Sequence, residues 1–590
     1  MRRLCEAGVG HVFLVTGRGI LFLTDALARE KALTSVSTYH EQGASYAAMA
    51  YAQAKNSLGV CLVSTGCAAT NAVTAALCAW QDNVPVVFIS GQHMLHETTH
   101  YTKHPIRTYG SQEADIIKVV QSITKYAVML HRAEDIAAEM DKALYLAMTG
   151  RRGPVWIDLP LDLQNARIEP EQLTRWMTNA VPLQVRAADV GAVAEGLSRA
   201  ARPLLLLGGG IRSAGAQQVV SDFVDKSRIP VVFTPAGADA YGASHVYSIG
   251  AVGSIGGSRA GNFALQHADY ILAVGTKLSS QMTGNRTLFA PHACITVVDI
   301  DVLEHQKEEA AHKFIHADAR AFFEVLREEA VHPANEEWVM QCIHWKRVFS
   351  VPEEDFVQKA AQRNEIDLYA FSYVLGKELA DDAAVITDAG FEELIVPSAI
   401  SYRDGQRCLF PAAQGAMGYA IPAVLGAHFA GKKNIVVIVG DGSIMMNMQE
   451  LYIIAAHRIP VKIFVINNNM YAVIRKRQKD LFRSRTIGND PSDGVPAPGF
   501  QEMALSTGFH YEKISSGQDL DKQVREVLRM PGGIFCEVMC TPDQKYLHQS
   551  YALNEERRLM QRPLEDLSPF LDRELLRSEV LSAHKKEGST

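Results

Sequence analysis

Short apolar runs, each closed by glycine, serine, threonine or asparagine, recur along the whole chain and alternate with longer amphipathic stretches. That alternation predicts parallel strands joined by crossover helices, an α/β fold of three consecutive doubly wound parallel-sheet domains. In the first, residues 1–170, the expected strands are Val12–Val15, Ser35–Tyr39, Gly59–Ser64, Val84–Ser90 and Val155–Asp158. In the second, 185–330, they are Pro203–Leu207, Pro230–Thr234, Tyr270–Val274 and Ile295–Ile300. Residues 331–365 are polar and charged and read as a linker with some helix. The third domain, 366–545, carries strands at Ala384–Thr387, Ile435–Val439, Val461–Ile466 and Gly533–Met539. In 546–590, Pro563, Asp566 and Pro569 interrupt any period, which predicts a surface tail, free or packed at an interface.

Composition narrows the class. The 590 residues are 47% hydrophobic and 21% charged, ordinary for a globular chain. A net charge of −7 without an extended basic run does not indicate nucleic acid as a partner. The nine cysteines form no CxxC pair, which suits a reducing cytoplasm. Glu6 and His11 interrupt the opening residues, which therefore do not read as a signal peptide. No apolar stretch reaches the length of a membrane span.

The candidate chemistry sits in the third domain. Gly440-Asp441-Gly442-Ser443 follows one predicted strand, and Asn467-Asn468-Asn469 follows the next. A carboxylate and an amide at neighbouring strand ends converge at the sheet edge where open α/β sheets bind ligands. A small set of hard oxygen ligands suits Mg²⁺ held partly by phosphate, and the glycines let backbone N–H groups approach a diphosphate. Gly-Asp-Gly alone is most often a turn; the spaced pair between two strands is what points to a site.

The spacing matches the signature of thiamine-diphosphate enzymes, and further segments agree in order. Tyr39-His40-Glu41-Gln42-Gly43-Ala44, Ser64-Thr65-Gly66-Cys67-Ala68-Ala69-Thr70-Asn71, Gln112-Glu113-Ala114-Asp115 and Gln414-Gly415-Ala416-Met417-Gly418 resemble segments of acetolactate-synthase-like members. The resemblance implies a pyrimidine-binding first domain, a Rossmann-like middle domain and a diphosphate-binding third domain. It implies that Glu41 hydrogen-bonds the cofactor's aminopyrimidine, that Met417 bends the cofactor, and that Asn71 and Gln414 lie at its site. Asp441, the Asn468 oxygen and the Met470 carbonyl would hold Mg²⁺, with Gly440, Gly442 and Ser443 at the diphosphate. Gln112 joins Glu41 as a catalytic candidate. Glu41 and the diphosphate site would come from different subunits, so a homodimer is the smallest active unit and a homotetramer is common. The middle block resembles the synthase domain that binds FAD at Gly208-Gly209-Gly210, Gly275-Thr276-Lys277 and Asp299-Ile300-Asp301. Glycine turns after strands are usually turns only, and related middle domains also occur without nucleotide; flavin absorbance decides.

The function implied is decarboxylation of a small 2-keto acid, pyruvate first, with ligation of the acyl carbanion equivalent to a carbonyl acceptor. Departures from the synthases fall on the acceptor side. Arg477 stands for a tryptophan, Lys277 for an arginine, Glu392 for a histidine and Ser111 for a phenylalanine. The loop carrying His93, His96, His100 and His104 is longer, and the histidine spacing resembles a helical stripe; a proton carrier among them, a metal, or no role are the three readings. Ile474 replaces the acid that simple decarboxylases use for protonation, which favours ligation over aldehyde release. A nucleotide keto-deoxysugar acceptor, hydrolysis of a cyclic dione and a non-catalytic regulatory protein of the same fold are the alternatives.

Overall fold

The computed structural model describes all residues except 103, 181–182, 307–311, 497, 554–555 and 585–590. The first six-stranded sheet contains β1 (His11–Leu14), β2 (Thr34–Ser37), β3 (Gly59–Val63), β4 (Val86–Gln92), β5 (Tyr126–Met129) and β6 (Val155–Pro160), in the order β2-β1-β3-β4-β6-β5. The second contains β7 (Pro203–Leu207), β8 (Val231–Phe233), β9 (Ser248–Ala251), β10 (Tyr270–Val274), β11 (Cys294–Asp299) and β12 (Lys313–His316), in the order β12-β11-β10-β7-β8-β9. The third contains β13 (Ala384–Thr387), β14 (Arg407–Leu409), β15 (Ile435–Gly440), β16 (Lys462–Asn467), β17 (His510–Ile514) and β18 (Ile534–Met539), in the order β14-β13-β15-β16-β18-β17. All the pairings within these sheets are parallel. A hairpin of β19 (Tyr551–Leu553) and β20 (Leu559–Gln561) follows. The first and third sheets share one strand order. The second has the order of a dinucleotide-binding fold, with its switch point between β7 and β10.

The interior strands are the ones announced by apolar runs, because a central strand of a parallel sheet is covered on both faces. β3, β7 and β16 are buried at every position. Within the three large sheets, the five strands absent from the sequence reading, β5, β9, β12, β14 and β17, all lie at sheet edges. β12 exposes Lys313 and His316, β17 exposes His510 and Lys513, and neither forms an apolar run.

The first and third sheets are tied by two small-residue helices, Glu41–Lys55 and Ala420–Phe429. The first is buried continuously from Gly43 to Ala52, and a Cβ on Gly426 would fall 2.2 Å from the Ala47 carbonyl oxygen. This close approach fixes how the first and third sheets of one chain sit against each other.

Two expectations are corrected. Residues 331–365 are not a free linker. The helix Glu336–Val348 buries Trp338, Cys342 and Trp345 against the second sheet, and Trp338 Nε1 donates to the Pro203 carbonyl. Residues 546–590 are not a surface tail through their described length. Tyr546, Leu547 and Leu567 join the core over the third sheet and Leu564 that of the second. The buried Arg259, paired with Glu354, also donates to the Leu567 and Pro569 carbonyls. Trp338, Cys342 and Trp345 do follow a helical i, i+4, i+7 spacing inside a polar stretch, whereas Tyr546, Leu547, Leu564 and Leu567 are too widely separated to show a period.

Candidate active site

β15 and β16 deliver the Gly440-Asp441-Gly442 turn and Asn467-Asn468 to adjacent positions. Asp441 Oδ1 accepts from the Gly442 N–H (2.7 Å), and Oδ2 accepts from the N–H groups of Asn468 (3.1 Å) and Met470 (3.3 Å). Burial raises the Asp441 carboxyl, and these backbone donors oppose the shift. Asn468 Oδ1 is buried with no hydrogen-bond partner among the described residues. An orphaned amide oxygen beside a buried carboxylate is costly unless a cation completes it. The pair therefore fits Mg²⁺. Asn469 takes a left-handed φ of 57° at the turn. Gly442 has no room for a side chain, since a Cβ would lie 2.0 Å from the Tyr471 ring.

Behind this turn runs a network that sequence spacing did not announce. Asp388, directly after β13, accepts from Ser443 Oγ (2.7 Å) and the Ala420 N–H, while Ser443 Oγ accepts from the Gly418 N–H (2.9 Å). Asn447 Nδ2 donates to the Gly418 carbonyl (2.8 Å) and to Gln42 Oε1 (2.9 Å). The segment holding Gln414 and the half-buried Met417 is thus pinned to the Asp441 turn at the switch point between β13 and β15. Gln414 itself donates to Gln81 Oε1 (2.8 Å). Burial pushes Asp388 up to about 6. Its signal was available: like Asp441, it follows an apolar strand directly.

Glu450, fully buried, accepts from the N–H groups of Tyr39 (3.2 Å) and His40 (3.0 Å). A Cβ on Gly43 would fall 2.6 Å from its carboxylate, so Gly43 makes the room. Burial pushes Glu450 up to about 7. Glu41 follows at the first turn of its helix and accepts from Asn71 Nδ2 (2.9 Å). A Cβ on Gly66 would fall 2.4 Å from the Gln112 carbonyl oxygen, which places Gln112 (φ 66°) against the Ser64–Asn71 loop.

This loop rests on Asp158. Ser90 Oγ (2.6 Å) and Gln92 Nε2 (3.1 Å) donate to the Asp158 carboxylate, and Thr65 Oγ1 donates to Gln92 Oε1 (3.0 Å). Burial pushes Asp158 up to about 7, against about 4 in an unfolded chain. The fold thus holds the proton more tightly. The stabilising contribution is full below the unfolded value, falls as pH rises to about 7 and is level above, by up to about 1.4 kcal/mol per pH unit. Asp158→Asn should flatten the stability–pH slope in that window, measured by denaturant unfolding across pH.

The four loop histidines share no helical face, since among the described residues of the loop only Leu95–Glu97 is helical. His93 Nδ1 meets Glu97 (3.2 Å), His100 Nε2 meets Asp115 (3.1 Å), His96 packs edge-on to Tyr101, and His104 is exposed. Glu392 is buried rather than at an entrance, its carboxylate 3.4 Å from where a Gly440 Cβ would lie. Burial, with Asp388 and Asp441 adding, raises it well above the usual carboxylate range. Ile474 and Arg477 are exposed on one face of the helix Ala472–Leu481, which starts beside Met470. Lys277 lies elsewhere, in a cavity of about 590 Å³ at the switch point of the second sheet, with Gly209, Gly210, Arg152 and Asp299. Asp82 and Glu393 also line it, pushed by burial up to about 7 and about 8. The glycines there serve packing: a Cβ on Gly208 would meet the Gly275 carbonyl oxygen at 2.1 Å.

Family models agree with this layout. Residues 1–119 match the N-terminal TPP binding domain of thiamine pyrophosphate enzymes, 190–326 the central domain and 388–538 the C-terminal TPP binding domain. The class is therefore the thiamine pyrophosphate enzymes. The chain is 30% identical over 531 residues to the acetolactate synthase isozyme 2 large subunit of Escherichia coli, covering 89% of this chain and 92% of that one. It is 30% identical to the acetolactate synthase large subunit of Lactococcus lactis, covering 88% of each, and 29% identical to the chloroplastic enzyme of Arabidopsis thaliana, covering 92% and 80%. The chain belongs to the acetolactate-synthase-like family of thiamine-diphosphate-dependent enzymes. No helix among the described residues is long and apolar enough to cross a membrane.

Proposed function

We propose that the protein decarboxylates pyruvate and ligates the two-carbon acyl unit to a carbonyl acceptor, using thiamine diphosphate and Mg²⁺. The observation that carries the reading is the orphaned Asn468 Oδ1 beside Asp441. When bound, thiamine diphosphate supplies the electron sink for loss of carbon dioxide. Asp441, Asn468 Oδ1 and the Met470 carbonyl would hold Mg²⁺, and Gly440, Gly442 and Ser443 would face the diphosphate. Met417 and Gln414 would support the cofactor's middle. Glu41, held by Asn71 and by the Glu450 clamp, would share a proton with the aminopyrimidine ring, and Gln112 would face the reacting carbon. Among the described residues no hydrogen bond or ion pair links Glu41 or Asn71 to Asp441 or Asn468 within one chain. A site shared between two copies, in a homodimer or homotetramer of the cytoplasm, is the arrangement that the family resemblance implies. FAD is the candidate occupant of the cavity at the second sheet, tested by flavin absorbance.

Ile474 supports ligation, since it offers no proton to the acyl unit. Ile474→Glu should shift product from ligated ketol toward acetaldehyde by about 10-fold or more. Labelled pyruvate, tested alone and with 2-ketobutyrate, simple ketones and nucleotide keto-sugars, tests the function itself. Ligated product with carbon dioxide release is expected; acetaldehyde alone from every mixture would refute it. A second reading, transfer to a nucleotide keto-deoxysugar, is favoured by Arg477, which stands unpaired where a small keto acid needs no such cation.

A further inference from the structure

The segment that follows the Asp441–Asn468 pair carries more positive charge than the fold neutralises. The helix Ala472–Leu481 begins two residues after Met470, and Tyr471 packs on Gly442, so its first turn belongs to the site. Arg475 is taken by Asp490 (2.6 Å) and Lys476 by Asp480 (2.7 Å). The side chains of Arg477, Lys479, Arg483 and Arg485 make no hydrogen bond or ion pair among the described residues, and the three arginines are exposed. Arg477 shares its helix face with Ile474 and Leu481, spaced three and four residues apart. Just past the helix, Arg483 (φ 52°) and Ser484 (φ 66°) both take the left-handed conformation, which residues with a side chain adopt at a cost and which is concentrated at ligand clamps.

Two other parts of the chain reach this place. His548 lies within electrostatic range of Lys476 and Arg477. Its neighbour Gln549 fills the space over Gly284, where a Cβ would meet Gln549 Oε1 at 2.5 Å, at the end of the loop that starts with Lys277. The 546–549 segment thus runs from the electrostatic neighbourhood of the helix to this loop of the second domain.

Uncompensated arginines on and just past the helix that follows the Asp441–Asn468 pair, in a chain of net charge −7, select a ligand carrying negative charge. The planar guanidinium pairs two-pronged with phosphate oxygens, and several arginines together suit more charge than a lone keto-acid carboxylate provides. We propose that the acceptor is a carbonyl compound bearing a phosphate ester or phosphoanhydride, whose phosphate is read by Arg477 with Arg483 and Arg485 while its carbonyl lies over Ile474. The inference rests on the ligation reading and names the class of acceptor.

The test uses the full chain loaded with thiamine diphosphate and Mg²⁺. Glycerol 3-phosphate and glycerol, both unreactive, are titrated calorimetrically with no donor present, so this arm holds even if pyruvate is not the donor. Binding of glycerol 3-phosphate alone is expected, weakened at least 10-fold by Arg477→Ala and by the Arg483→Ala/Arg485→Ala pair. With pyruvate as donor, glyceraldehyde 3-phosphate is compared with glyceraldehyde, and a nucleoside-diphosphate keto-sugar with its free sugar. The phosphorylated member of a pair should show a KM at least 10-fold lower, an advantage lost in Arg477→Ala while the KM of the uncharged member stays within about 2-fold. The first pair reports a sugar phosphate and the second a nucleotide sugar. Equal binding of glycerol and glycerol 3-phosphate, or an arginine variant that keeps the phosphate preference, overturns the proposal. So does loss of assembly in the arginine variants by sedimentation, which would assign the cluster to a subunit contact. Absence of carbon dioxide from pyruvate, with phosphate binding intact, counts against the donor reading alone.

Discussion

Asp441→Ala should yield a folded chain that no longer retains thiamine diphosphate, with Mg²⁺-dependent affinity reduced more than about 100-fold. The reason is double. The substitution removes the one formal charge in the candidate ligand set, and it strands the N–H groups of Gly442, Asn468 and Met470 that now converge on that carboxylate. Asn468→Ala separates the two effects. It removes the unpartnered Oδ1 and leaves those backbone bonds to Asp441 in place, so cofactor affinity should fall with little change in thermal stability. Calorimetric titration with and without Mg²⁺, alongside thermal unfolding, distinguishes loss of the ion from loss of the turn. Wild-type retention in Asp441→Ala would remove the ion from the account.

Glu41→Gln is expected to lower kcat by about 10²–10⁴-fold, the range of a positioned acid–base group, while cofactor affinity stays within a few-fold. The carboxamide preserves the size of the side chain at the helix start, and the Tyr39 and His40 amides remain clamped by Glu450. What is lost is the ability to hold and return a proton. Wild-type turnover in this variant would contradict the role. Glu450→Gln is the informative partner: if the clamp positions Glu41, turnover falls there too, although among the described residues the hydrogen bonds of Glu450 to the first domain come from backbone N–H groups.

The parts of this fold legible in the sequence are those where local pattern and burial coincide. β3, β7, β15 and β16 are covered on both faces and read as apolar runs, and Asp441 and Asn468 stand out because they close two such runs. Edge strands such as β12 and β17 left no run, because half of their side chains face water. The support of the site was not legible for a different reason. Glu450 meets Tyr39 across 411 residues and Asn447 meets Gln42 across 405; no spacing rule links positions joined only by the packing of two helices. Asp388 lies between these cases, since it ends a strand as Asp441 does. The histidine stripe failed because the described residues between 98 and 115 run in turns and bends, so a helical period had no helix to display it.

The central claim is that Asp441 and Asn468 grip a divalent ion that anchors the cofactor's diphosphate. The most direct measurement is anomalous scattering from crystals grown with thiamine diphosphate and Mn²⁺ in place of Mg²⁺. The account predicts one peak within about 2.0–2.3 Å of an Asp441 carboxylate oxygen and Asn468 Oδ1, the range for hard cations on oxygen ligands. A cofactor bound with the peak elsewhere, or with Asn468 Oδ1 turned away from it, would contradict the claim.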